Sequence, residues 1–307
     1  MSDNELANTD EYTLLDALSA LWAKKIAIIV IMLIVSGITV YAALQLPNIY
    51  RSEAVLEPVN VGGEGGLSAI ANQFGGLASL AGINLNASSS QTKSVLAIMN
   101  SRRFLESFID EQNLYVHLFA VTTWNAELNK LEIDENVYDP NTDTWLREVS
   151  FPRKPKPSKS EALEIFRDLY SVQEDKETGL VTVSINYISP YVAKEWVNKI
   201  LKKINTETKR RDMEVAIRTS EYLESELENT SINSVQQIIY QLLEEQKRTL
   251  MLTNVKEDYV FKVIDPAFVP EKKVGPSRAI LCLSVFVGAS LVIAFIIILI
   301  DYRKKLS

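Results

Sequence analysis

Residues 26–46 read IAIIVIMLIVSGITVYAALQL, and residues 279–300 read AILCLSVFVGASLVIAFIIILI. Neither run contains a charged residue or a proline. They are 21 and 22 residues long, and crossing the hydrocarbon core of a bilayer takes roughly 20 helical residues. Core helices of soluble proteins rarely run uncharged for so long, so each stretch is expected to be a transmembrane helix. The first run is about twice the length of a signal-peptide core, and no small-x-small cleavage site follows it, which predicts a retained anchor. The expected layout is a tail (1–25), a first span (26–46), a large water-exposed domain (47–278), a second span (279–300) and a short tail (301–307).

Lys24, Lys25, Arg303, Lys304 and Lys305 flank the two spans on the side of the tails. Positive charge collects on the cytoplasmic side, so both termini are expected there. Arg51, Lys272, Lys273 and Arg278 lie near the opposite membrane face, but long segments are largely exempt from that rule. Five of the 32 basic residues and six of the 39 acidic ones lie in the tails or at Asp301, leaving residues 47–278 with a net charge of −6. So acidic a domain is a poor partner for nucleic acid. The one cysteine, Cys282, sits inside the second span, so no disulfide staples the domain.

The N-terminal tail carries Leu14, Leu15, Leu18, Leu21 and Trp22 at helical spacing, an amphipathic helix leading into the first span. Beyond Pro47, NIYRSEAVLEPV reads as a strand ended by Pro58. Seven of the eleven glycines then fall within Gly62–Gly82. No Gly-Lys-Ser/Thr follows, so this is no phosphate loop; it reads as a mobile flap or as an irregular stretch facing another subunit. Val95, Leu96, Met99, Phe104, Leu105, Phe108 and Ile109 predict one or two helices. Residues 124–157 are polar and end in an exposed, basic PRKPKP loop. EALEIFRDLY reads as helix, and LVTVSINYIS as a half-buried strand.

Between Tyr191 and Asp265 there is no proline. About 60 helical residues there would reach roughly 90 Å, with the string ENTSINS around Thr230 as the one interruption. A helix of that length is expected to project from the membrane and pack on copies of itself as a coiled coil. An intramolecular helical hairpin is the alternative. DYVFKVIDPAFVP reads as a returning strand. The expected class is therefore α+β: two transmembrane helices flanking a domain with a membrane-proximal α/β base and a long projecting helix.

Chemistry is hard to find in this sequence. One histidine, His117, and one lipid-buried cysteine leave no thiol–histidine pair and no Cys/His metal site. The signature of a nucleotide-binding P-loop does not occur. Paired carboxylates such as Asp134 and Glu135 read as solvated surface. No catalytic, cofactor-binding or metal residue is expected. Ser284 and Gly288, four apart on the second span, form a small-xxx-small pattern that lets helices approach closely.

Several motifs together resemble the Wzz polysaccharide chain-length determinants, or polysaccharide co-polymerases. LLDALSALWAKK before the first span and PNIYRSEAVLEP after it are similar to the family's opening. SPYVAKEWVNKILKKIN resembles its entry into a long helix, with Ser189, Pro190, Ala193, Trp196, Asn198 and Asn205 in matching places. At the second span, IDPAFVPEKKVGPSRA carries Pro270 and Pro276 in the family's proline rhythm, which suits a polyproline II strand; Gly288 belongs to the same motif. Lys273 stands where another proline is usual, Gly275 where serine is common, and Ile293 near the place of a second glycine.

The resemblance implies a bacterial inner-membrane protein with a periplasmic domain and ring-like homo-oligomers. It implies control of the modal length of O-antigen, in lipopolysaccharide biosynthesis, or of a related polysaccharide made by a Wzy-type polymerase. The partners are then other copies of the chain, the polymerase, the growing polysaccharide and the bilayer. The seven residues after the second span leave no room for a kinase, which points to the kinase-free branch. An export adaptor with a separately encoded kinase is the second reading. A two-span periplasmic sensor is the third, and it would require a cytoplasmic output domain.

Overall fold

A computed structural model describes residues 22, 24–59, 87–255 and 258–306. The amphipathic tail helix, apart from Trp22, and the Gly62–Gly82 segment lie outside the described residues. The chain divides into two units, residues 1–48 with 274–307, and residues 49–273.

The first unit is helical. Helix α1 spans Lys25–Gln45, and the C-terminal helix, α8, spans Arg278–Leu306. Both are long and apolar enough to cross a membrane; the 21 residues of α1 rise about 31 Å. The two helices pack together and bury Met32, Ala43 and Ile297, while most of their large apolar side chains face outward, such as Leu33 and Leu291. Outward-facing apolar surface is costly in water and free of cost in lipid. Hydroxyls in both helices donate to carbonyls of the preceding turn: Thr39 to Val35 at 2.8 Å, and Ser290 to Val287 at 2.7 Å. Arg278 Nη2 donates to the Leu46 carbonyl at 3.0 Å and to Asn48 Oδ1 at 3.3 Å. It thereby satisfies an acceptor left over where α1 ends.

The second unit is built on an antiparallel sheet. Strand β1 (Ile49–Pro58) pairs on one side with β7 (Val181–Tyr187), from Tyr50 opposite Tyr187 to Leu56 opposite Val181. On its other side lies β8 (Phe261–Asp265), with a register shift between Val55 and Leu56. Strand β6 (Tyr170–Glu174) closes the far edge of β7, and Gly179, at φ +71°, makes the turn between them. Side chains alternate along a strand, and one face collects Ser52, Ala54 and Leu56 with Val181, Val183 and Ile185, all buried.

Helices cover the core, and Val95 and Met99 of the helix before Arg102 are buried in it as well. Helix α3 (Arg102–Glu111) is capped by Ser101, whose hydroxyl accepts the Phe104 N–H, and buries Phe104, Leu105, Phe108 and Ile109. It follows α2 (Ala87–Met99) and precedes the single turn α4 (Tyr115–Phe119). Helix α5 (Lys159–Leu169) opens on a reciprocal capping box between Ser158 and Glu161. Helix α6 (Pro190–Asn229) starts on the Ser189 cap with Pro190 in its first turn, where a missing N–H costs nothing. Trp196, Val197, Ile200, Leu201 and Ile204 recur at three- and four-residue spacing and are buried.

The long helix is therefore present over 40 residues, about 60 Å. It does not continue to 60 residues. At Thr230, ψ 134°, the backbone turns extended, and Gln236 Nε2 donates to the Thr230 carbonyl at 2.9 Å. Helix α7 (Asn233–Val255) follows and packs back on α6. Leu223 and Leu227 of α6 form a second cluster with Ile239, Leu242 and Leu243 of α7. The hairpin, not the unbroken rod, is what the chain adopts. Thr, Ser and Asn compete with helical hydrogen bonding at the break, and the leucine cluster gives the returning helix apolar surface to bury.

The stretch read as polar holds two small hairpins, β2 (Val121–Asn125) with β3 (Lys130–Ile133), and β4 (Tyr138–Asp139) with β5 (Thr144–Trp145). Asn129 and Asp143 take positive φ of 48° and 52° in their turns, a conformation Asn and Asp tolerate.

Candidate functional site

The residues singled out around the second span fall in both units. Pro270 is buried, in the irregular segment after β8 that also buries Ala267 in the core. Ser52 Oγ holds this segment by donating to the Phe268 carbonyl at 2.7 Å. Pro276 is half-buried and follows a short strand, β9 (Lys273–Gly275). A strand there departs from the expected polyproline II conformation at those three residues. Ser284 and Gly288 are exposed on α8. A Cβ placed on Gly288 would meet nothing within 4 Å, so this small-residue face is not the one packed against α1.

Inside the domain, aromatic side chains connect α3, α5, β7 and α6. Phe108 and Phe166 lie 5.6 Å apart between ring centres, Phe166 and Trp196 6.1 Å, and Trp196 and Tyr187 4.6 Å. His117 stands edge-on to Trp196 at 5.7 Å, and its carbonyl accepts the Tyr187 hydroxyl at 2.8 Å. Burial pushes the His117 pKa below its usual value, against a weaker upward pull from Glu195. The imidazole is therefore a neutral packing element. Around it, ion pairs pin the helices together. Lys159 and Tyr115 both donate to Asp110. Burial acts to raise the Asp110 pKa, but these two hydrogen bonds outweigh it and the carboxyl ends below its usual range. Lys203 donates to Ser107 at 2.7 Å and Glu111 at 2.6 Å, and its hydrogen bond is the main reason the Glu111 pKa is lowered. Burial and hydrogen bonds between packed helices account for these shifts.

A second aromatic row lies at the start of β1 and was not anticipated. The Trp124 ring stands edge-on to Tyr50 at 5.7 Å and tilted to Tyr191 at 6.1 Å, and its Nε1 donates to Asn129 at 3.0 Å. Tyr191 is 50% exposed. Nothing in the spacing of these three residues announces the contact, which depends on tertiary pairing. The PRKPKP loop is exposed from Pro152 to Lys156, as expected, but its last residue, Pro157, is buried; Arg147 holds the loop. That guanidinium donates to the carbonyls of Pro155 at 3.1 Å and Lys154 at 3.0 Å, and to Glu161 at 2.9 Å. Among the described residues, no group of three or more His, Cys, Asp or Glu could hold a metal ion.

No curated protein matches the chain. Among solved structures, one described as a full-length bacterial polysaccharide co-polymerase is 13% identical, with a TM-score of 0.39, covering 95% of this chain and 99% of its own. A fragment of WzzB, a polysaccharide co-polymerase from Salmonella Typhimurium, is also 13% identical, with a TM-score of 0.29, covering 74% of this chain and all of its own. Over residues 10–112, which take in α1, β1, α2 and α3, the chain matches the Wzz family of chain length determinant proteins.

Proposed function

We propose that this protein is a non-enzymatic regulator of the modal chain length of O-antigen, or a related surface polysaccharide, made by a Wzy-type polymerase. The family match over residues 10–112 carries the reading. The architecture agrees with it: two apolar helices flank one domain whose longest element is a 40-residue helix. In this reading α1 and α8 cross the bacterial inner membrane, both termini are cytoplasmic, and residues 47–278 are periplasmic. Lys24, Lys25, Arg303, Lys304 and Lys305 beside the spans support that orientation.

The mechanism is architectural. A ring-like homo-oligomer presents a fixed surface that holds the polymerase, or the growing glycan, until release. Outward apolar residues on the helical hairpin, among them Tyr222, Ile232, Ile238 and Tyr240, suit contact with neighbouring copies. Pro270, Pro276 and Gly288 belong to the motif at the second span, and Ser284 with Gly288 forms an open face on α8 for helix packing between subunits. The test is a gel ladder of surface polysaccharide from a strain lacking the protein. Loss of a clustered length supports the reading. Unchanged lengths with a reduced amount would instead support an export adaptor served by a separate kinase.

A further inference from the structure

The tip of the β2–β3 hairpin has a direction within the domain. His117, just before β2, meets Trp196, whereas Trp124 near the tip meets Tyr191. Tyr191 lies five residues closer to the start of α6, about 7.5 Å along the helix axis. Trp124 also meets Tyr50, the second residue of β1. The tip thus reaches toward the end of the domain at which the chain enters from α1. There it exposes Leu128 to 67%, in the turn after half-exposed Trp124, whose ring meets half-exposed Tyr50 and exposed Tyr191. Trp124 Nε1 is already satisfied by Asn129, which leaves the rings as amphipathic plates. Glu127 and Lys130, both exposed, offset each other's charge.

Tyr50 follows Leu46, the residue that caps α1, by only four positions. Chain length therefore keeps its Cα within about 14 Å of the helix end, whatever the angle between the two units. That distance falls in or beside the headgroup layer of any bilayer that α1 crosses. Trp and Tyr collect in this layer because it accommodates an apolar ring with a polar edge, and an exposed Leu gains by entering it.

We propose that the tip of the β2–β3 hairpin, Trp124 and Leu128 beside Tyr50 and Tyr191, is seated in the headgroup layer of the bilayer that α1 and α8 cross. The inference rests on the membrane-spanning reading of those helices.

The full-length chain, with Cys282→Ala to remove the native thiol, receives single cysteines at Leu128, at Phe151 (97% exposed) and at Ile34 on the outer face of α1. Each is labelled with an environment-sensitive fluorophore and reconstituted into phosphatidylethanolamine–phosphatidylglycerol vesicles containing nitroxide lipids. The Leu128→Cys probe should be quenched by headgroup-level nitroxides roughly twofold or more beyond the Phe151→Cys probe, as an interfacial position requires. If the Ile34→Cys probe is quenched and the Leu128→Cys probe behaves like Phe151→Cys, the seating is wrong while the spanning reading stands. If Ile34→Cys escapes quenching as well, the spanning reading itself has failed. A Leu128→Cys signal that ignores lipid quenchers but responds to added polysaccharide would make the aromatic row a glycan platform and overturn the proposal.

Discussion

Asn205 Oδ1 accepts the backbone N–H of Val260 at 3.0 Å and that of Phe261 at 3.3 Å. One side chain on the long helix thereby fixes where the returning chain re-enters the sheet, since Phe261 begins β8 opposite Pro58 of β1. The Tyr259 hydroxyl reinforces the junction by donating to Asp212 at 2.9 Å, and Tyr259 and Phe261 are fully buried. Asn205→Ala should leave two N–H groups without an acceptor and destabilise the protein by about 1–3 kcal/mol. Thermal unfolding of the detergent-solubilised protein reads this directly, and an unchanged midpoint would remove Asn205 from the account.

The hairpin makes a second prediction. Leu243 is 7% exposed and packs with Leu223 and Ile239. Leu243→Ala should cost about 2–3 kcal/mol, at the low end for a buried leucine because the cluster is small. The loss should be local. Hydrogen exchange should quicken over residues 233–255 and hardly change in β1 and β7. Equal protection of α7 in both proteins would argue against helix-on-helix packing within one chain.

Much of this architecture is legible in the sequence, for identifiable reasons. Ser189 and Pro190 announce the start of α6, because a cap and a first-turn proline act locally. The two apolar runs are equally plain. ENTSINS marks the break at Thr230, but not the direction taken after it, which the pairing of Leu223 with Ile239 and Leu243 decides. The hairpins between residues 121 and 145 escape detection because key anchors are distant in sequence: Trp124 rests on Tyr50 and Tyr191, and Trp145 on Phe119. The spacing of Ser284 and Gly288 is visible too. Which face of α8 meets α1 is not, because Met32, Ala43 and Ile297 settle it.

The single histidine gives a pH prediction. His117 has a folded pKa below its usual 6.5, chiefly through burial. A group whose cationic form is disfavoured by folding stabilises the protein fully above the unfolded pKa. That contribution is lost as pH falls from about 6.5 toward the lower folded value. His117→Phe keeps an aromatic ring beside Trp196 and removes the titration. The variant should lose less thermal stability than the native chain between about pH 7 and pH 5. Identical slopes would mean that His117 does not titrate across this window. Asp110 and Glu111, whose pKa values are lowered below 3.8 and 4.5, should act only at more acid pH.

The open face of α8 gives a fourth mutational test. A Cβ at Gly288 meets nothing within 4 Å and the position is exposed, so Gly288→Leu should leave the fold of one subunit intact. If Ser284 and Gly288 form a close helix contact between subunits, the substitution should weaken assembly on native gels by preventing that approach. An unchanged oligomer would retire the contact.

The central claim concerns polysaccharide length, and the most direct measurement is restoration. Surface polysaccharide is resolved on a gel from a strain lacking this protein, and from the same strain carrying it again. The account predicts a featureless spread of lengths in the first and a recovered cluster around one modal length in the second. A distribution of lengths that is the same with and without the protein would contradict it.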